Sequence, residues 1–214
     1  MAAGYMGRVL FVDLDMQEIE TRELDTDVAK NFIGGMGLNA WLMKQSYMPG
    51  TDPVAPDNPI ILGAGPLVGT GAPGAAKIVA TTRFPLNGTI SESVGSMRFA
   101  RNLKGAGFDH VVIKGRARKP TVLEISEDGV SFLDASDLWG LDAFTVTDAL
   151  KKIGGSPKIS VIAIGPAGEN QVAFSLAMVD KASTLGRGGL GAVMGSKNLK
   201  AITAKGSARP VVSD

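Results

Sequence analysis

The chain contains no cysteine among its 214 residues. Disulfides, thiolate catalysis and cysteine-ligated zinc or iron–sulfur sites are therefore excluded within it. Histidine occurs once, at His110, and no Ser-His-Asp set, paired carboxylate site or metal-ligand cluster is legible. No run approaches the ~18 apolar residues of a membrane span, and Met1–Arg8 lacks the apolar region of a secretory signal. Charge of one sign is missing too. With 22 Lys+Arg against 21 Asp+Glu the net charge is +1, so nothing argues for nucleic acid or an acidic membrane as a partner. A cytoplasmic location is the resulting expectation. Aromatics are sparse at 6%, whereas glycine is abundant at 28 residues, a balance that implies tight turns and close backbone approaches.

What remains, 44% apolar with 20% charged residues, describes a globular chain. It is long enough for one large domain or two small, intimately packed ones. Residues 8–14 and 18–24 flank a short turn and read as a β-hairpin. Residues 27–47 carry apolar side chains near helical spacing, with Asp25, Thr26 or Asp27 as cap and glycines 34, 35 and 37 as interruptions. Strands are expected at 59–63, 77–83, 110–114, 121–126, up to 133, at 158–164, 172–179 and 199–205. A small helix is expected around 96–104, and an amphipathic one at 141–153, capped by Asp142 and ended by Gly154-Gly155. Trp41, Trp139 and the methionines read as core, and His110 as a satisfied strand-edge residue.

The elements recur. Strand–Gly65-Pro66 returns as strand–Gly165-Pro166, Asn102-Leu-Lys104 as Asn198-Leu-Lys200, and Lys114-Gly115 as Lys205-Gly206. The pattern predicts an α+β fold of two related β-sheet units with short helices, an internal duplication.

The stretch Gly186–Lys200, G-R-G-G-L-G-A-V-M-G-S-K-N-L-K, concentrates five glycines and three cations without an acid. It spells G-x-G-x-x-G at 186–191, yet residues 181–185 make a poor strand and no acid follows in 201–213, so a Rossmann fingerprint fails. Gly195-Ser-Lys197 reverses the P-loop order, and no kinase signature follows. The run reads as a cradle for a phosphorylated cofactor: glycine amides approach oxyanions and a helix start favours anions. Arg187 serves either as its ligand or as a loop-carbonyl donor. Lys197 and Lys200 belong either to the cradle or to a solvated face, and Glu169 and Asn170 tie the 165–168 turn.

This run, with Ile164–Asn170, Gly7–Leu14, Gly34–Gly37, Ala64–Thr70 and Leu103–Asp109, resembles the N-terminal domain of tungsten-containing aldehyde ferredoxin oxidoreductases over nearly the whole chain. The resemblance implies a domain at 1–206, a linker beginning at 207–214, and a platform for a tungsten (or molybdenum) bis-molybdopterin whose phosphates are bridged by Mg. Carried over by position, the cofactor contacts fall at Lys77, at Ser93, Val94, Gly95 and Ser96, and at Ser183, Thr184, Leu185, Gly186, Arg187, Gly188 and Gly189. The main-chain carbonyls of Val94 and Thr184 are implied for Mg. Arginine is usual in the family where Lys77 stands, and asparagine where Val94 stands. No catalytic side chain is assigned. A 4Fe–4S cluster would sit only on cysteines of further domains or a companion subunit, with ferredoxin as the whole enzyme's partner and a homodimer as an assembly. Two other readings stand beside this one: a non-catalytic pterin carrier and a structural subunit of a larger redox complex.

Overall fold

The structure, a computed structural model, describes residues 2–213. The first half contains β1 (Arg8–Asp13), β2 (Glu18–Glu23), α1 (Thr26–Phe32), α2 (Met36–Ser46), β3 (Ile60–Ala64), β4 (Ile78–Arg83), β5 (Ile90–Gly95), α3 (Phe99–Gly105) and β6 (His110–Lys114). The second contains β7 (Thr121–Ser126), β8 (Gly129–Asp134), a 3-10 turn (Ser136–Leu138), α4 (Ala143–Ile153), β9 (Ser160–Ala163), α5 (Pro166–Glu169), β10 (Ala177–Val179), β11 (Ser183–Leu185), α6 (Leu190–Ser196) and β12 (Leu199–Lys205).

Local chemistry explains the helix ends. The Asp25 carboxylate accepts from the Asp27 and Val28 amides, and Asp142 does the same for Phe144 and Thr145, satisfying donors that a first turn leaves unpaired. Between α1 and α2 the chain breaks at Ile33, whose φ of 63° no helix accommodates.

The strands form two six-stranded sheets, ordered β2-β1-β6-β3-β4-β5 and β11-β10-β9-β12-β7-β8. Read outward from the parallel pair, the two are one topology repeated. β1 pairs β2 antiparallel and β6 parallel, as β7 pairs β8 and β12. The antiparallel series β6-β3-β4-β5 matches β12-β9-β10-β11. The expected duplication is thus present in the strand order itself.

Two of the three sequence recurrences are structurally equivalent. Gly65-Pro66 and Gly165-Pro166 each follow the corresponding strand, and Lys114 and Lys205 end the corresponding strands. The third is not: Asn102 and Lys104 lie within α3, whereas Asn198 forms the turn after α6 and Lys200 is in β12.

One core joins the sheets. Leu10, Leu62, Val111 and Ile113 of the first meet Leu123, Ile162, Leu199 and Ile202 of the second, together with Phe99 and Leu103 of α3 and Val193 and Met194 of α6. On the outer faces α2 packs Leu42 and Met43 on Val9, Ile61 and Val112, and α4 packs Val146 and Leu150 on Val122, Val161 and Ala201. Each strand's alternation thereby serves two apolar layers, which is why strands such as β3 read as continuous apolar runs.

Several expectations are corrected. The strand at 172–179 shortens to β10, because Ser175 turns back on Val172 and its carbonyl is taken by the Gly191 amide. Trp41 and Trp139 are half-buried; the first packs on Phe32 and the second lies under the Lys200 ammonium. Met43 and Met194 are core, but Met16, Met36 and Met48 are exposed. His110 is not at an edge: β6 is interior, and Gly63 opposite leaves room that any Cβ would fill within 2.3 Å of the imidazole. Its Nδ1 lies 2.8 Å from Asn39 Oδ1. Burial, helped by the Lys104 charge, holds its pKa down at about 3, so it is neutral.

α5 and α6 approach closely through their backbones. A Cβ on Gly195 would lie 2.0 Å from the Gly168 carbonyl oxygen. Gly195→Ala is expected to cost about 3 kcal/mol by overpacking, read as a lowered urea midpoint. An unchanged midpoint would contradict this packing.

Candidate functional site

The two segments implied as cofactor contacts lie some ninety positions apart and meet in space. β5 and β11 are the corresponding edge strands of the two sheets, and they face one another. The Ser96 amide donates to Ser183 Oγ at 2.9 Å, and Lys77 Nζ donates to Ser96 Oγ at 2.6 Å. Lys77, Ser96 and Ser183 therefore form one hydrogen-bonded row across the junction. Gly95 is buried there: a Cβ would stand 3.0 Å from Leu185 and 3.1 Å from Val179.

Register makes the two strands equivalent. Gly95 pairs with the first residue of β4, and Leu185 with the first of β10. Counting back, Ser93 matches Ser183 and Val94 matches Thr184. Both Val94 and Thr184 are exposed, on strands whose outer edges leave alternate amides and carbonyls unpaired. Two exposed residues at equivalent strand positions of the two halves suit a group that is itself paired.

The glycine run is built differently from its sequence reading. A Cβ on Gly188 would strike the Phe84 ring at 2.6 Å, and one on Gly189 the Ala173 carbonyl at 2.2 Å. Protein packing alone demands glycine at both. Gly186 is less confined: a Cβ there would meet only Ser93 Oγ, at 3.3 Å. α6 is buried along its length, and its Gly191 amide donates to Ser175. Its start is therefore not an open anion site.

The cations divide. The Arg187 guanidinium is exposed and, among the described residues, makes no ion pair or hydrogen bond within the chain; this is not the geometry of a loop-carbonyl donor. Lys197 and Lys200 lie neither in a cradle nor on a solvated face. Lys200 is fully buried, ion-paired to Glu169 and donating to the Leu141 carbonyl at 2.7 Å. Glu169 also accepts from the Gly140 amide, and Asn170 Nδ2 donates to the Pro166 carbonyl at 2.9 Å, so both acts are structural. Lys197 is fully buried and donates to the Pro56 carbonyl. Sequence reasoning missed the Ser96–Ser183 link. Edge strands of mixed polarity give no apolar alternation to find.

Among the described residues no group of three or more His, Asp or Glu could hold a metal ion, and no helix is long and apolar enough to cross a membrane. A metal at this junction would have to be met by main-chain or hydroxyl oxygens and by a cofactor's own atoms. The available donors, carbonyls and serine hydroxyls, suit a hard cation such as Mg²⁺, and Lys77 and Arg187 suit phosphate.

The class of fold is a duplicated α+β domain whose two halves present equivalent edge strands at one junction. The family model for the aldehyde ferredoxin oxidoreductase N-terminal domain matches residues 9–206, and the chain belongs to that family. Tungsten-containing aldehyde ferredoxin oxidoreductases of Pyrococcus furiosus and Thermococcus kodakarensis are each 40% identical over 211 residues, covering 99% of this chain and 35% of theirs. An aliphatic sulfonate oxidoreductase WOR-like subunit of Pyrococcus furiosus is 36% identical over 219 residues, covering 95% of this chain and 35% of its own length. Among solved structures, the active-site complex BamBC of benzoyl coenzyme A reductase with 1,5-dienoyl-CoA superposes with a TM-score of 0.95 at 34% identity, covering 99% of this chain and 32% of that one. The chain spans about a third of the length of these relatives. The relatives' names establish the oxidoreductase family.

Lys197 supplies a test of the corrected reading. Burial first, then the Lys114 charge, pull its pKa to about 7, against the opposing pull of Asp57 and Asp13. Between about 7 and the ordinary 10.5 the unfolded chain holds more protons than the folded one, so this group makes stability rise with pH across that window. Below it the burial penalty is constant. Lys197→Met should flatten the rise in urea midpoint between pH 7 and 10; an unaltered slope would mean Lys197 is solvated.

Proposed function

We propose that this chain is the cofactor-bearing N-terminal domain or subunit of a tungsten or molybdenum bis-molybdopterin oxidoreductase that oxidises aldehydes to carboxylic acids with ferredoxin as electron acceptor, and that it performs no turnover alone. The carrying observation is the junction of β5 and β11, where equivalent strand positions of the two halves meet, Lys77 bonds Ser96, Ser96 bonds Ser183, and Arg187 follows two residues after β11. The bound metal–dithiolene would supply the two-electron chemistry. The chain's part is binding and orientation. Lys77, steadied by Ser96, and Arg187, unengaged within the chain, offset the charge of the pterin phosphates. The carbonyls of Val94 and Thr184 are offered to the bridging Mg²⁺, and the amides of 186–189 lie alongside. A lysine where the family favours arginine makes one phosphate contact a point charge instead of a fork. Val94 is compatible with a ligand role confined to its carbonyl.

The reading requires cysteine-bearing domains or a companion chain for the 4Fe–4S cluster and most of the substrate pocket, and it places the enzyme in the cytoplasm. Aldehydes are the substrate class because two relatives 40% identical to the chain are named for them. The sulfonate and glyceraldehyde-3-phosphate names of other relatives mark how widely substrate varies above a similar base.

Tungsten and molybdenum content, measured with oxidised-pterin fluorescence on the assembled protein purified without oxygen, tests the assignment. Stoichiometric metal and a cysteine-containing companion are expected. Metal without a companion would make the chain a carrier, and neither would make it a structural subunit. In the assembled enzyme Arg187→Ala should lower metal and pterin together by about tenfold, the scale of one lost charge-assisted phosphate contact. Lys77→Arg should retain both. Unchanged occupancy in Arg187→Ala would remove Arg187 from the ligand set.

A further inference from the structure

A second charged site lies apart from the β5–β11 junction. Arg98 at the start of α3, Arg101 within it, Lys158 before β9, Lys205 at the end of β12 and Arg209 beyond it converge on one cleft of about 730 Å³. Five of the chain's 22 cations and one of its 21 acids line it, which leaves 17 cations against 20 acids elsewhere. A chain of net charge +1 has thus gathered its excess positive charge in one concavity. Among the described residues none of the five makes an ion pair. The one acid, Glu127, is already engaged by the Ser207 amide and hydroxyl at 3.3 and 2.9 Å.

The cleft is constructed. Asn102, almost fully buried beneath it, donates through its amide to the Lys158 carbonyl at 2.7 Å and the Ala204 carbonyl at 2.9 Å, clamping two walls together. The segment carrying Arg209 is fixed by Ser207 on Glu127 and by the Ala208 amide on the Gly105 carbonyl. Like charges held on fixed walls repel one another, and a low-dielectric concavity focuses their field on whatever anion enters.

The duplication provides an internal control. The corresponding cleft of the first half, at the ends of β1 and β6, is lined by Asp13, Asp15 and Asp57 as well as Arg116 and Arg118. Register sets Asp13 beside Lys114 and Ser126 beside Lys205, so serine stands where the first half has aspartate. The hundred-residue offset of the Gly-Pro turns places Pro157 where the first half has Asp57. At the positions of Asp13 and Asp57 the same architecture therefore accepts carboxylates, whereas the second half has serine and proline there and keeps one lining acid, Glu127.

We propose that this cleft binds a small molecule bearing a diphosphate, or two phosphates, at its charged end. Three guanidiniums offer forked donors matched to phosphate oxygens, and five cations exceed what one phosphate dianion neutralises. A volume of about 730 Å³ lies within the roughly 300–1,000 Å³ of small-molecule sites, and a concave arrangement suits a compact polyanion better than a protein face. The inference is independent of the cofactor reading, since neither Lys77 nor Arg187 lines this cleft.

Inorganic pyrophosphate titrated into the full chain, followed calorimetrically and by amide chemical shifts, tests it. Saturable binding at this cleft is expected, weakened about tenfold or more by Arg101→Glu and by Lys158→Glu, and unchanged in Arg118→Glu at the counterpart cleft. Thermal unfolding verifies that each variant is folded; if a charge reversal is not, Arg101→Gln is to be used and should weaken binding in the same direction. Failure to saturate overturns the proposal, as does pyrophosphate binding that survives the cleft variants. Binding of polyglutamate through these residues without pyrophosphate saturation would also overturn it, in favour of an acidic protein partner.

Discussion

Each half of this molecule is held by a buried lysine whose charge is answered by one carboxylate and by main-chain carbonyls. Lys104 lies 3.3 Å from Asp109, which also accepts from the Met6 and Gly7 amides, and the lysine donates to the Gly4 carbonyl. That knot joins α3 to the entry of β1 and the start of β6. Lys200 with Glu169 joins β12 to α5 and to the turn before α4. Removing either partner would leave an uncompensated charge in the core, a cost of about 3–5 kcal/mol. With both intact, the central strands are set, and the edge strands that meet at the junction are positioned from them.

That dependence explains the division of labour in the glycine run. Its close contacts with Phe84, Ala173 and Gly168 let α5, α6 and the 173–176 segment lie nearly backbone to backbone. The run then leaves the core at Gly186 and Arg187, beside Ser93 and Thr184. Packing and cofactor binding are assigned to adjacent residues of one segment, and the residues that carry exposed chemistry number very few.

Much of the fold was legible. Asp25 and Asp142 marked helix starts through their capping chemistry, the glycines at 34–37 marked a break, and β3 announced its burial. The duplication was visible in Gly-Pro and Lys-Gly pairs that prove to be in register. β5 and β11 were not legible, because edge strands with alternate residues exposed carry little apolar signal and β11 has only three residues. The burial of Lys197 and Lys200 was hidden for another reason: a lysine is buried only when carboxylates or carbonyls converge from distant segments, and those are 31 and 141 positions away. Within the candidate site, Lys77, the 93–96 and 183–185 segments and Arg187 came from family resemblance. The link between Ser96 and Ser183 emerged only in three dimensions.

The parallel pairing of β1 with β6 has a consequence for biosynthesis. β1 leaves the ribosome first, yet its partner follows roughly a hundred residues later, and β7 waits almost as long for β12. During that interval β1 is paired along one edge only, by β2, and an unpaired apolar strand edge is prone to wrong association. Each half can close its sheet when its own last strand emerges, but α3 still lacks β9 and β12, which it packs against in the finished molecule. Synthesis therefore passes through a first half that is complete in its strands and open on its inner face, so that the second half arrives as both a copy of the first and its cover.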